Sequence, residues 1–134
     1  METTLKITPR KILVVEDVDD ILEVVLEMVK LLGHQTLVAR NGLEAVAIAE
    51  SELPDLILMD VWMPKQNGTA AAREIRAIPA CAQIPIIRLS AFDEPINEAG
   101  RRERFDWDAY LSKPIDFDLL AETVDRMLER AASP

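Results

Sequence analysis

The sequence predicts an α/β fold in which a doubly wound parallel sheet is covered by helices on both faces. Short apolar runs alternate with segments of helical periodicity, and this β-α alternation repeats five times along 134 residues. Such alternation builds a parallel sheet, because each helix crosses over from one strand to the next. The length suits one domain with one hydrophobic core.

The first strand and helix show how the elements are identified. Residues 11–15 form a short apolar run that ends in acidic residues. Asp19 or Asp20 is expected to be the N-cap of the helix that follows, and Gly33 is expected to end it. The apolar residues expected to form the buried stripe of this helix are Leu22, Val25, Val29 and Leu32.

The central strand organises the chain. Leu56–Asp60 has four consecutive apolar residues followed by one carboxylate, which is typical of a strand buried on both faces. The other predicted strands are 36–39, 84–89 and 109–111, and the other predicted helices are 42–51, 69–78, 94–105 and 116–131. The predicted apolar face of the last helix is Phe117, Leu120, Val124 and Met127.

One domain accounts for almost the whole chain. Residues 1–10 are predicted to be a lead-in, 11–131 the folded domain and 132–134 a short tail. The net charge of -9 disfavours nucleic acid and anionic membranes as partners. The single cysteine, Cys81, excludes an intrachain disulfide and is expected to be inert in a loop. With no signal peptide and no apolar span of about 20 residues, the expected location is the cytoplasm.

Polar residues follow four of the five predicted strands. The carboxyl ends of parallel strands lie at one edge of the sheet, where open α/β folds bind their ligands. The residues placed there are Glu16, Asp17, Asp60, Ser90 and Lys113. Three carboxylates in one place repel each other, and a divalent cation removes that repulsion. Carboxylate ligands without histidine or cysteine indicate a hard cation, most simply Mg²⁺.

Phosphoryl transfer is the chemistry that this set of groups predicts. A metal ion, a lysine and a hydroxyl together position a phosphoryl group and neutralise its charge. A carboxylate is a competent nucleophile and, with an ordinary pKa of about 3.9, it is ionised at neutral pH without a base. Asp60 is the central acid and is therefore the candidate nucleophile.

The chain resembles the receiver domain of two-component response regulators over essentially its whole length. The matching motifs are Glu16-Asp17, Met59-Asp60-Val61-Trp62-Met63-Pro64 with Gly68 downstream, Ser90-Ala91, Tyr110 and Lys113-Pro114. The resemblance implies a flavodoxin-like (βα)5 fold of three layers, α/β/α, with strand order 2-1-3-4-5. In that order the three acids surround one crevice.

The resemblance also implies how the protein works as a switch. Asp60 accepts a phosphoryl group from a phosphohistidine on a histidine kinase or a phosphotransfer protein. Lys113 contacts the phosphoryl group, and its bond to Pro114 is cis. Ser90 moves towards the phosphoryl group and Tyr110 turns inward. The readout is a face built from the fourth helix, the fifth strand and the fifth helix, which controls a downstream protein.

A metal site follows from the same resemblance. Asp17 and Asp60 bind Mg²⁺ or Mn²⁺ directly, whereas Glu16 binds it through water. The backbone carbonyl of Trp62 is a further ligand. These assignments are what the resemblance implies for each matching position of this sequence.

Three residues are expected to flank the phosphoryl group. Ala91 is small, as access to the acceptor requires, and the aromatic residues Trp62 and Phe92 stand two positions after Asp60 and Ser90. Bulky rings at both positions predict slow hydrolysis of the phosphoaspartate, because they exclude attacking water. The alternative is that both rings only cover the rim of the crevice.

Three residues depart from the family pattern or invite another interpretation. Asp106 stands where receiver domains usually have glycine before the fifth strand. Arg88 interrupts the apolar fourth strand and is expected either to pair with an acid or to reach water. His34 follows a helix-ending glycine and is expected to be a surface loop residue rather than a phosphodonor.

Several functions remain open within this pattern. The chain is expected to assist only its own phosphorylation and dephosphorylation, and to be a monomer or a weak phosphorylation-dependent dimer. A free-standing regulator and a receiver module cut from a longer hybrid kinase or multidomain regulator both fit. An aspartyl-phosphate hydrolase needs an acid where Trp62 stands. A degenerate receiver that binds partners without phosphate is disfavoured by the intact acids, Ser90 and Lys113.

Overall fold

Five parallel strands form one sheet in the computed structural model, which describes residues 9–61, 68–90 and 107–132. The strands are β1 (Lys11–Val15), β2 (Gln35–Ala39), β3 (Leu56–Asp60), β4 (Ile86–Ser90) and β5 (Ala109–Ser112). The helices in the described ranges are α1 (Asp19–Leu31), α2 (Gly42–Glu52), α3 (Gly68–Ala77), a 3₁₀ helix (Pro79–Cys81) and the C-terminal helix (Phe117–Ala132). The order across the sheet is β2-β1-β3-β4-β5, which confirms the predicted fold. The helix predicted over 94–105 lies outside the described residues.

The strands are apolar because helices cover both faces of the sheet. All five residues of β3 are buried, as its unbroken apolar run predicts. On one face, Val25 of α1 and Leu120 of the C-terminal helix pack in one cluster with Leu58. On the other face, Ala45 of α2 and Ala72 of α3 belong to a second cluster, in which small side chains bring the helices close. Within the described ranges, no helix is long and apolar enough to cross a bilayer.

The register of the strands brings their carboxyl ends to one edge. Val15 pairs with Met59, and Asp60 pairs with Leu89. The residues that follow β1 therefore lie beside the end of β3. Between β4 and β5, Ser90 pairs with Ser112, the residue before Lys113.

The start of α1 differs from the prediction. Val18 is the N-cap and makes no side-chain capping bond, so the prediction that Asp19 or Asp20 caps the helix is wrong. Both acids lie in the first turn instead, where the positive end of the helix dipole favours carboxylates. Asp19 pairs there with Arg40. Gly33 ends the helix with a φ of 91°, as predicted.

Three strands have boundaries that differ from the predicted ones by one or two residues, and of these β4 and β5 each end one residue later than predicted, at Ser90 and Ser112. β2 begins one residue earlier, at Gln35. β4 begins at Ile86 rather than at residue 84, because the Ile84 N–H still donates to the Cys81 carbonyl in the turn before the strand. Cys81 itself lies in the 3₁₀ helix and is buried, so its predicted position in a loop is wrong.

The expectation that His34 lies on the surface is wrong. Only 7% of its surface is exposed, and its Nδ1 accepts a hydrogen bond of 3.1 Å from the Arg10 N–H. Burial lowers the pKa of His34, and a neutral ring is what an accepting Nδ1 requires. The side chain ties the segment before β1 to the end of α1.

The buried face of the C-terminal helix begins later along the helix than predicted. Leu120, Val124 and Met127 are buried, but Phe117 is 37% exposed. Phe117 is the first residue of the helix, which Asp116 precedes and caps by accepting from the Leu119 N–H at 2.9 Å. The first residue of the helix thus lies at the edge of the core.

Asp108 joins three elements at the sheet edge opposite the carboxyl ends. Its Oδ2 accepts from the Ile86 N–H at 2.8 Å and from Arg76 of α3 at 3.0 Å. Its Oδ1 accepts from Arg130 of the C-terminal helix at 2.7 Å. Asp108 therefore connects helices from both faces of the sheet to the start of β4.

We expect Asp108→Ala to lower the free energy of unfolding by about 2–4 kcal/mol, because the Ile86 amide loses its acceptor and the Arg76 guanidinium loses its carboxylate partner. Urea denaturation measures the change. Glu122→Ala removes an exposed carboxylate from the C-terminal helix and is the matched control, with an expected change within about 0.5 kcal/mol. Equal denaturation midpoints for both variants would contradict the role of Asp108.

Candidate functional site

Three carboxylates meet at the carboxyl edge of the sheet. Glu16 and Asp17 follow β1, and Asp60 is the last residue of β3. Each of these residues offers one oxygen atom, and these oxygens all lie within 4.8 Å of one another. Glu16 is fully buried, Asp60 is 3% exposed and Asp17 is half-buried. The structure therefore brings the three predicted acids into one cluster, which we call the acidic cluster.

Lys113 reaches the acidic cluster from the end of β5. Its Nζ lies 2.9 Å from Glu16 Oε1 and 3.3 Å from Asp60 Oδ1. Its backbone N–H donates to the Ser90 carbonyl at 2.7 Å, and its peptide bond to Pro114 is cis, as predicted. The lysine is therefore fixed at both ends: its backbone amide bonds to β4, and its ammonium group contacts two acids.

The pKa of Glu16 is raised above its ordinary value of 4.5. Burial is the largest cause, and the negative charge of Asp60 adds to it. The hydrogen bond and the positive charge of Lys113 act in the opposite direction, as does the Val18 N–H, which donates to Glu16 Oε2 at 3.3 Å. The folded state is therefore less stable when Glu16 is ionised than when its carboxyl group is protonated.

The pKa of Lys113 is also raised. Burial alone lowers the pKa of this ammonium group, but the hydrogen bonds and negative charges of Glu16 and Asp60 outweigh that cost. Lys113 is therefore cationic at neutral pH and supplies a fixed positive charge beside Asp60.

The acidic cluster fits a divalent cation. Three carboxylates and one ammonium group leave a net charge of two minus at the cluster. Asp17 Oδ1 is buried and has no hydrogen-bond partner among the residues in the described ranges. A buried oxygen without a donor is costly, and a hard cation is the ligand that carboxylate oxygens of this kind prefer.

Gly68 allows the chain to return close to Asp60. A Cβ atom at this position would lie 2.5 Å from the Asp60 carbonyl oxygen and 2.8 Å from Val61 Cα. The Gly68 N–H donates to the Val61 carbonyl at 2.9 Å. Only glycine leaves room for this approach between the end of β3 and the start of α3.

The two predicted switch residues lie on neighbouring strands. Ser90 is the last residue of β4 and is half-buried, whereas the side chain of Tyr110 on β5 is 61% exposed. Trp62, Ala91 and Phe92 lie outside the described residues.

Sequence reasoning missed the Val18 amide that donates to Glu16, because no side-chain pattern identifies a backbone donor.

The chain is similar to response regulators in both sequence and structure. The family model described as the response regulator receiver domain matches residues 12–125. Protein PilH of Pseudomonas aeruginosa is 34% identical over 118 residues, which are 88% of this chain and 97% of that protein. The polar-differentiation response regulator DivK of Brucella anthropi is 31% identical over 125 residues, 90% of this chain and 97% of that protein.

Two solved structures show the same likeness. The receiver domain of a sensor histidine kinase from Pseudomonas aeruginosa, with a magnesium ion coordinated in its active site cleft, has a TM-score of 0.81 and 33% identity, covering 91% of this chain and 99% of that chain. The signal receiver domain of a signal transduction histidine kinase from Syntrophus aciditrophicus has a TM-score of 0.83 and 33% identity, covering 93% of this chain and 94% of that chain.

We expect Asp17→Ala to weaken Mg²⁺ binding by at least about tenfold, because it removes one of the three carboxylates of the acidic cluster. Isothermal titration calorimetry on the folded protein gives the affinity. Asp19→Ala, which removes an exposed carboxylate two residues away, is the control and should change the affinity by less than about threefold. Equal losses in both variants would mean that the ion senses only overall charge.

The raised pKa of Glu16 predicts a pH dependence of stability in the absence of divalent cations. The folded protein holds the Glu16 proton more tightly than the unfolded chain, so the contribution of this group to stability falls as the pH rises from 4.5 through the raised pKa. Glu16→Gln removes that titration. Urea denaturation across this range should show the variant gaining stability relative to the unsubstituted protein, and parallel profiles would contradict the shift.

Proposed function

We propose, because this chain belongs to the response regulator receiver domain family, that Asp60 is its phosphoacceptor. Receiver domains are signalling switches of two-component systems. The observation that supports Asp60 most directly is its place in the acidic cluster, with Oδ1 3.3 Å from Lys113 Nζ. No other carboxylate of the cluster ends a strand that is central in the sheet.

The proposed reaction moves a phosphoryl group from a phosphohistidine on a histidine kinase or phosphotransfer protein. A carboxylate oxygen of Asp60 forms a bond to phosphorus while the bond from phosphorus to the imidazole nitrogen breaks. The electron pair of that bond stays on the nitrogen. Lys113 compensates the negative charge on the phosphoryl oxygens, and its contacts with Glu16 and Asp60 hold its ammonium group in place for this role.

The proposed metal ligands are Glu16, Asp17 and Asp60, together with the backbone carbonyl of Trp62. Mg²⁺ is the proposed ion and Mn²⁺ its substitute. When bound, the ion neutralises charge on the phosphoryl group and on the carboxylates. The orphaned Asp17 Oδ1 and the net negative charge of the acidic cluster support this assignment.

The proposed switch uses Ser90 and Tyr110. The Ser90 hydroxyl donates to the phosphoryl group on Asp60, and the exposed Tyr110 ring turns inward over the sheet. The altered surface, formed by β5, the C-terminal helix and the segment predicted as the fourth helix, then binds a downstream protein. Trp62, Ala91 and Phe92 are proposed, from the sequence, to flank the phosphoryl group.

We also propose the domain bounds, the cellular location and the oligomeric state of the chain. Residues 11–131 form the receiver, flanked by a lead-in of residues 1–10 and a tail of 132–134. It acts in the cytoplasm as a monomer or a weak phosphorylation-dependent dimer, without nucleic acid or membrane, and catalyses only its own phosphorylation and dephosphorylation. The acidic net charge and the single cysteine support this.

Acetyl phosphate with Mg²⁺ should add a single phosphate of about 80 Da to the intact protein. The adduct should be absent in Asp60→Asn, because an amide oxygen is not a competent nucleophile, and absent without divalent cation. Intact mass spectrometry measures it.

Asp55→Asn is the matched control, since Asp55 precedes β3 at the opposite end and its carboxylate accepts from the Lys11 N–H at 2.8 Å. This variant should take up phosphate normally. An adduct of equal size in Asp60→Asn would show that another residue is the acceptor.

A further inference from the structure

Arg88 is a charged residue in the sheet that the proposed switch does not use. It pairs with Met59 on β3 and with Tyr110 on β5. Because side chains alternate along a strand, Ile86 and Ser90 share its face. Ile86 packs there in the cluster beneath α2 and α3. The half-buried Arg88 therefore lies beside one proposed switch residue and one step along the strand from the other.

The Arg88 guanidinium contacts an aromatic ring. Its central carbon lies 5.9 Å from the centroid of the Trp107 ring, within cation–π distance. Trp107 packs against the core, and Arg88 Nε is itself buried. These contacts keep the charged group close to the sheet surface on the face that carries Tyr110.

An inward Tyr110 ring has to lie over Arg88. Its side chain is 61% exposed in this structure, and Ser90 lies two residues beyond Arg88 on the neighbouring strand. Neighbouring strands are about 4.8 Å apart, so a phenol ring that turns from β5 towards Ser90 crosses the strip of surface that Arg88 occupies. The guanidinium would then lie between Trp107 and Tyr110.

We propose that Arg88 is a positioning residue that stabilises the inward orientation of Tyr110 by stacking its guanidinium between Tyr110 and Trp107. The proposal rests on the proposed function, because it requires Tyr110 to move when Asp60 is occupied. Arginine suits this role since its guanidinium is planar and weakly hydrated, whereas a lysine ammonium is compact and strongly hydrated. The inward ring excludes water from the guanidinium, which strengthens the cation–π contact.

Tyr110 is the only tyrosine of the sequence, so 3-fluorotyrosine gives one ¹⁹F resonance for it. The experiment titrates beryllofluoride, a phosphoryl mimic, into the full chain with Mg²⁺ and follows that resonance. In the unsubstituted protein the resonance should shift as the ring turns inward. Arg88→Leu should raise the titration midpoint by roughly three- to thirty-fold, the range of a cation–π contact.

Two further variants separate stacking from charge. Arg88→Lys keeps the charge but loses the planar group, and it should behave like Arg88→Leu. Arg88→Met keeps the unbranched stem and should give the same result, which protects the test if the leucine variant folds poorly. Arg73→Leu removes an exposed arginine from α3 and is the control, with an unchanged midpoint.

Each outcome decides the proposal. An unchanged midpoint in Arg88→Leu and Arg88→Met overturns it. So does a resonance that is already shifted in these two variants before beryllofluoride is added, because Arg88 would then hold the ring outward. A midpoint in Arg88→Lys equal to that of the unsubstituted protein overturns stacking in favour of charge. If the unsubstituted protein shows neither the shift nor a phosphate adduct, the proposed function fails and the role of Arg88 with it.

Discussion

Repulsion among three carboxylates, two of them buried and one half-buried, is the constraint on which the site depends, and one ammonium group partly balances it. Burial and the charge of Asp60 raise the pKa of Glu16, while the same two acids hold the pKa of Lys113 high despite its own burial. One ammonium group does not neutralise three carboxylates, so further positive charge would stabilise the cluster. The acidic cluster therefore carries an excess of negative charge, which a divalent cation would offset.

The fold tolerates this imbalance because its stability comes from elsewhere. The sheet is buried on both faces, and β3 carries Asp60 at the end of a strand without a single exposed residue. At the opposite edge, Asp108 joins α3, β4 and the C-terminal helix through satisfied hydrogen bonds. The two edges therefore differ: both carboxylate oxygens of Asp108 accept hydrogen bonds at one edge, whereas at the other the buried Asp17 Oδ1 has no hydrogen-bond partner among the described residues.

Most of the sheet could be predicted because short continuous apolar runs, such as Leu56–Asp60, are typical of strands buried on both faces. The acids and Lys113 could be placed together once the strand order was assigned by resemblance. Two of the predictions that failed concern one tertiary contact and the residue at which a helix begins. His34 is buried because a backbone amide 24 residues away needs an acceptor. Val18 rather than an acid caps α1, since Asp19 and Asp20 lie one and two residues inside the helix.

The position of Lys113 in the chain has a consequence for synthesis on the ribosome. Glu16, Asp17 and Asp60 all precede it, and the strands that carry the acids can pair before β5 has emerged. A nascent chain would then gather its negative charges without their counter-charge. The acidic cluster therefore gains its counter-charge only when the last strand of the sheet has joined.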